Sequence, residues 1–97
     1  MPITPRRGTL TDRSGTITSG GSSQTLAAAN TSRNYFFFQN LSSEDLYINF
    51  TDAATVDDDS IKVASGGSFV MEDAFVSTEI ITVIGATTGS KFVAKEG

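Results

Sequence analysis

A chain of 97 residues with no cysteine, histidine or tryptophan and a net charge of −4 makes one small domain, burying on folding a little under two-thirds of its unfolded surface. These absences remove disulfide staples, thiolate nucleophiles, sulfur metal sites and the imidazole that serves both as general base near neutral pH and as the commonest metal ligand. The charge is uneven: Arg6, Arg7 and Arg13 against Asp12 leave +2 on residues 1–13 and −6 on the remainder, and an acidic body lacks the basic footprint that nucleic acid requires.

In chain order, residues 1–13 carry Pro2 and Pro5 and few apolar side chains, which predicts an extended N-terminal arm. No apolar run follows Arg6 and Arg7, so a secretory signal is not expected. From residue 14 onward no stretch keeps helical apolar spacing over three turns, whereas short β-branched and aromatic runs recur between Gly, Ser, Asn and Asp clusters. The predicted strands cover 15–18, 23–28, 34–39, 45–50, 61–64, 68–72, 79–84 and 91–95. About eight short strands at this spacing are the cue for an all-β fold, a single small antiparallel β-sandwich or jelly-roll-like domain over 14–97. Ser19-Gly20-Gly21-Ser22, Ser65-Gly66-Gly67-Ser68 and Thr87-Thr88-Gly89-Ser90 read as hairpin turns. The longest apolar runs, 35–38 and 80–86, are too short to span a bilayer, so a soluble protein is expected.

Two segments are apolar on both sides. Period-two alternation sets Phe36 and Phe38 on one face of their strand and Leu46, Ile48 and Phe50 on one face of the next, a central hairpin with these five toward the core. Tyr35, Phe37 and Tyr47 then point the other way, with Gln39 and Asn49 as the only polar members of that face. In the strand over 79–84, Ile81 and Val83 share one side while Ile80 and Ile84 flank Thr82 on the other. An outer face this aromatic is suited to burial by another chain; cover from the arm and loops is the competing reading.

Polar clusters point to no chemistry. Asp57-Asp58-Asp59, with Asp52 before it, is consecutive rather than alternating and lacks the glycine and glutamate of a calcium loop, which predicts a solvated loop. Glu72, Asp73 and Glu79 read as strand-end surface charge, and neither Gly-Gly turn leads into a helix with a lysine at phosphate-loop spacing. No catalytic, metal or cofactor residues are expected, nor any membrane partner.

The run 14–26 (SGTITSGGSSQTL), Asn34-Tyr35-Phe36-Phe37-Phe38-Gln39-Asn40, Leu46-Tyr47-Ile48-Asn49-Phe50 and the ending 83–97 (VIGATTGSKFVAKEG) resemble small virion structural proteins of tailed bacteriophages. The likeness lies in overall texture rather than in a diagnostic motif and covers 14–97. It implies a capsid decoration (cement) protein on the capsid exterior, assembled in the host bacterial cytoplasm, a trimer or dimer bridging major capsid subunits. A short-tail, adaptor or fibre-associated protein is the alternative, and a carbohydrate-binding β-sandwich module the third reading. On this view Arg6, Arg7 and Arg13 dock on an acidic neighbour, and Tyr35, Phe37 and Tyr47 lie in a subunit interface.

Overall fold

A computed structural model describes residues 8–56, 59–72 and 75–97. Among them are nine strands: β1 (Thr11–Asp12), β2 (Gly15–Thr16), β3 (Gln24–Ala27), β4 (Phe36–Asn40), β5 (Leu46–Asn49), β6 (Ile61–Val63), β7 (Ser68–Met71), β8 (Ile81–Gly85) and β9 (Lys91–Glu96). Every ladder is antiparallel, and the pairings nest: β1 and β2 with β9, β3 with β8, β4 with β7, β5 with β6. Ladders from β9 to β4 and from β8 to β5 complete a first sheet, β1/β2-β9-β4-β7, and a second, β3-β8-β5-β6. Nested pairing wound into two facing sheets is the jelly roll, so the expected all-β sandwich is the fold.

The core is what period-two alternation on two facing sheets requires. Phe36 and Phe38 from β4, with Phe92 and Ala94 from β9, meet Leu46 and Ile48 from β5 and Ile81 and Val83 from β8, all buried. The Phe38 and Phe92 rings lie 5.6 Å apart. Phe50, expected in this group, is only partly buried and stacks on Phe69 at 5.4 Å. A bulge between Thr25 and Ala27 turns Leu26 and Ala27 both inward, as one extra residue in a strand does.

The connectivity differs from expectation in an instructive way. β4 and β5 are not a hairpin: β4 lies between β9 and β7 in the first sheet, β5 between β8 and β6 in the second. The connections at 19–22, 65–68 and 87–90 are likewise not hairpin turns, because β2 and β3, β6 and β7, and β8 and β9 each belong to different sheets. Glycine is still what these arches need, since Gly21 and Gly66 adopt φ of 80° and 77°, a region costly for residues with a Cβ. The arch from β4 to β5 instead uses a buried amide. Asn40 Nδ2 donates to the Glu44 and Val63 carbonyls, and its Oδ1 accepts from the Ser42 amide and hydroxyl.

Residues 11–13, expected within the arm, join the first sheet. Thr11 and Asp12 pair with Glu96 and Lys95, and the Arg13 amide donates to the Ala94 carbonyl at 2.7 Å.

Candidate interaction surface

Alternation along β4 turns Phe37 and Gln39 away from the core, and the register fixes their neighbours. Phe37 lies between Lys95 of β9 and Val70 of β7; Gln39 lies between Val93 and Ser68. At one end of this outer face Gly97 sits between Leu10 and Tyr35: a Cβ added to it would fall 2.9 Å from Leu10 Cδ2 and 3.8 Å from Tyr35 Cβ. The result is an apolar patch of Leu10, Tyr35, Phe37, Val70 and Val93. Leu10 is 58% and Val70 46% exposed; the other three are half-buried. Tyr35 and Phe37 therefore come together on one face, as the strand pattern predicts.

Beside the patch, Lys95 Nζ contacts Asp12 Oδ1 at 3.0 Å. Hydrogen bonds from Ser14, then the Lys95 ammonium, hold the Asp12 carboxyl down at about 2. Both groups are well exposed, so this pair adds a fixed polar border to the patch more than it adds stability.

Tyr47 does not join that face. It lies on the outer side of the second sheet, between Lys62 and Ile84, and is half-buried. Here the chain covers itself. Asn49, buried at the end of β5, accepts on Oδ1 from the amides of Thr51 and Asp52 and from the Thr51 hydroxyl, and donates from Nδ2 to the Asp59 carbonyl. Thr82 Oγ1 donates to the Asp52 carbonyl at 2.8 Å, and the Ala54 amide donates to Ser23 Oγ. These bonds draw the β5–β6 connection against Thr82; Thr82 and Ile84 are both buried within the chain, while Ile80 is left exposed. The need for outside cover inferred from residues 79–84 is thus met internally, whereas the first sheet keeps its apolar face open.

Arg13, whose side chain is 40% exposed, is paired within the chain. Its Nε and NH2 donate to Glu96 Oε1 at 3.1 and 3.0 Å, while Glu96 Oε2 accepts from Arg33 Nε at 2.6 Å. Arg33 is fully buried and spends its remaining donors on the Ser77, Glu79 and Ala28 carbonyls, joining β9 to the β7–β8 connection and to the chain just after β3. Burial pushes the Glu96 carboxyl up, but hydrogen bonds and charge from Arg33 and Arg13 outweigh it, leaving the group below its ordinary 4.5. Sequence reading missed this triad, because partners 63 and 83 residues apart leave no local signal. It also missed Phe75, which is 75% exposed in the β7–β8 connection.

Arg6, Arg7, Asp57, Asp58 and Asp73 lie outside the described residues. Among the described residues, no three acidic side chains converge as metal ligands, and Glu72 and Glu79 are exposed surface charges. A shallow groove between the β4–β5 and β8–β9 connections is lined by Leu41, hydroxyl side chains and Lys91; it presents no aromatic platform on which a sugar ring could stack. Among the described residues, no helix is long and apolar enough to cross a membrane.

No family model matches the chain, and no curated protein matches it. Among solved structures, the chain is similar to one described under "Bacillus endospore appendages form a novel family of disulfide-linked pili". The TM-score is 0.49 and the identity 17%, over 99% of this chain and 92% of that one. That pilus family is disulfide-linked, whereas the present chain has no cysteine.

Proposed function

We propose that the protein is a virion structural component of a tailed bacteriophage, a capsid decoration protein that adds contacts between neighbouring major capsid subunits and associates with copies of itself. The observation that carries this reading is the open apolar face of the first sheet, with Leu10, Tyr35, Phe37, Val70 and Val93 on it. Soluble monomers seldom leave a contiguous apolar patch uncovered unless something docks there. The resemblance of residues 14–97 to small phage virion proteins supplies the identity of the assembly. Many weak, identical contacts on a shell sum by multivalency, which suits a domain of this size. Arg6 and Arg7 act as cations against an acidic neighbour, and Tyr35 and Phe37 lie in the contact.

The test is the copy number of the chain in purified particles, by quantitative mass spectrometry against the major capsid and tail-tube proteins. Abundance comparable with the major capsid protein supports decoration. A few copies per particle move the protein to the tail, and absence from particles overturns the reading.

A further inference from the structure

Among the described residues the two sheets have four edges, and three of them are blunted against pairing with another chain. β1 and β2 are two residues each, β3 carries the bulge between Thr25 and Ala27, and β6 is three residues long with Lys62 at its centre. Short, bulged or charged strands are the usual protections of an edge. β7 (Ser68-Phe69-Val70-Met71) has no charge, no proline and no bulge, and it borders the apolar face through Val70. The phase of its hydrogen bonds is fixed by its neighbours. Tyr35 and Gly97 exchange both backbone bonds, each at 3.0 Å, so odd-numbered residues of β4 bond toward β9 and even-numbered ones toward β7. Phe69 and Met71, opposite Phe38 and Phe36, therefore bond inward to β4, and Ser68 and Val70 turn their N–H and C=O groups to the open edge. Among the described residues no hydrogen bond engages those groups. Two residues beyond Val70, Glu72 carries an exposed carboxylate with no ion pair among the described residues.

We propose that the β7 edge takes an extended segment of a neighbouring protein as an added strand, one with an apolar residue beside Val70 and a lysine or arginine two positions away beside Glu72. This deepens the proposed function by naming the kind of segment a neighbouring subunit supplies, and it rests on that reading. A row of free N–H and C=O groups is matched best by another extended backbone. The charge of the segment follows from Glu72 and from the −6 carried by residues 14–97. The chain itself is a poor source of the strand. Pro2 and Pro5 are three residues apart, so in either phase one of them faces the ladder without an N–H. A second copy's β7 has no cation to set against Glu72. Side chains of the added strand that share the side of Val70 extend the Phe37–Val70 face, so edge and face make one continuous contact. Two outward-facing residues supply few bonds, so a free peptide should bind only in about the millimolar range. Repetition over a shell raises the effective concentration.

Amide exchange of the full chain by nuclear magnetic resonance, with and without the capped peptide Thr-Lys-Thr-Val-Thr-Lys-Thr, tests this. The peptide reads alike in both directions, so it serves for either strand orientation. The Ser68 and Val70 amides should exchange fast in the free protein and slow about fivefold with excess peptide, while Phe69 and Met71 stay protected throughout. Thr-Glu-Thr-Val-Thr-Glu-Thr should bind about two- to fivefold more weakly, and Glu72→Lys should reverse that order. Val70→Pro removes an outward donor that β4 does not use and should abolish binding with the β4–β9 amides still protected. No slowing at Ser68 and Val70, equal binding of the two peptides, or pairing of β7 with a second copy in the absence of peptide would overturn the inference. A chain that ignores the peptide yet is abundant in particles would remove the added strand and leave the virion role; a chain that binds it but is absent from particles would do the reverse.

Discussion

Replacing Glu96 by alanine should be among the most damaging single changes in this protein, although the residue is next to last in the chain. Arg33 is fully buried and Glu96 is 3% exposed. The substitution leaves a guanidinium charge in the sandwich with only backbone carbonyls around it, and breaking a buried pair in this way costs about 3–5 kcal/mol. A domain of this length holds on the order of 5–10 kcal/mol in total, and each kcal/mol shifts its melting point by roughly 4–8 °C. The expected drop is therefore at least about 12 °C by calorimetry or far-ultraviolet circular dichroism. Removing both charges with Arg33→Met and Glu96→Leu should recover only part of the loss, because the apolar pair removes the buried charges but leaves the Ser77, Glu79 and Ala28 carbonyls without their donors. A Glu96→Ala variant within about 1 kcal/mol of the parent, or a double variant no better than the single, would refute the view that the triad closes this end of the fold.

Three further outcomes follow from the same geometry. Glu96 and Asp12 both have carboxyls held below their ordinary 4.5 and 3.8; a depressed folded value means stability is present above the unfolded value and lost as pH falls through the folded one. Stability should thus decline from about pH 4 downward, and Glu96→Gln should flatten that decline in acid titrations followed by circular dichroism. Gly85→Val should cost about 1–3 kcal/mol in urea unfolding, since a Cβ there would lie 2.5 Å from Leu46 Cδ2 and 3.0 Å from Ile17 Cγ1. Asn49→Ala removes the acceptor for three donors of the β5–β6 connection and should cost about 1–3 kcal/mol. Hydrogen exchange at Thr51 and Asp52 should accelerate while β4 and β9 stay protected.

The fold class was legible because it rests on local patterns. Alternation in 34–39 and 45–50 sets Phe36, Phe38, Leu46 and Ile48 inward whatever their strands pair with. Partner choice was not legible. A glycine at positive φ serves an arch between sheets as well as a hairpin within one, so Gly21 and Gly66 carried no information about which strands they join. For the same reason the Tyr35–Phe37 pair was recoverable from one strand, but adding Tyr47 assumed a hairpin that the jelly roll does not contain. The self-cover of the second sheet involves Asn49, a single amide whose partners lie two to eleven residues on, and nothing in its neighbourhood marks it as a loop anchor. Residues 11–13 read as arm because β1 and β2 are two residues each, too short for periodicity to separate them from an arm.

A cryo-electron microscopy reconstruction of the particle is the most direct measurement. It should contain the jelly roll on the shell's exterior with Tyr35, Phe37 and Val70 against another protein molecule. A map in which those three side chains face solvent, or in which the domain is missing from the shell, would contradict the account.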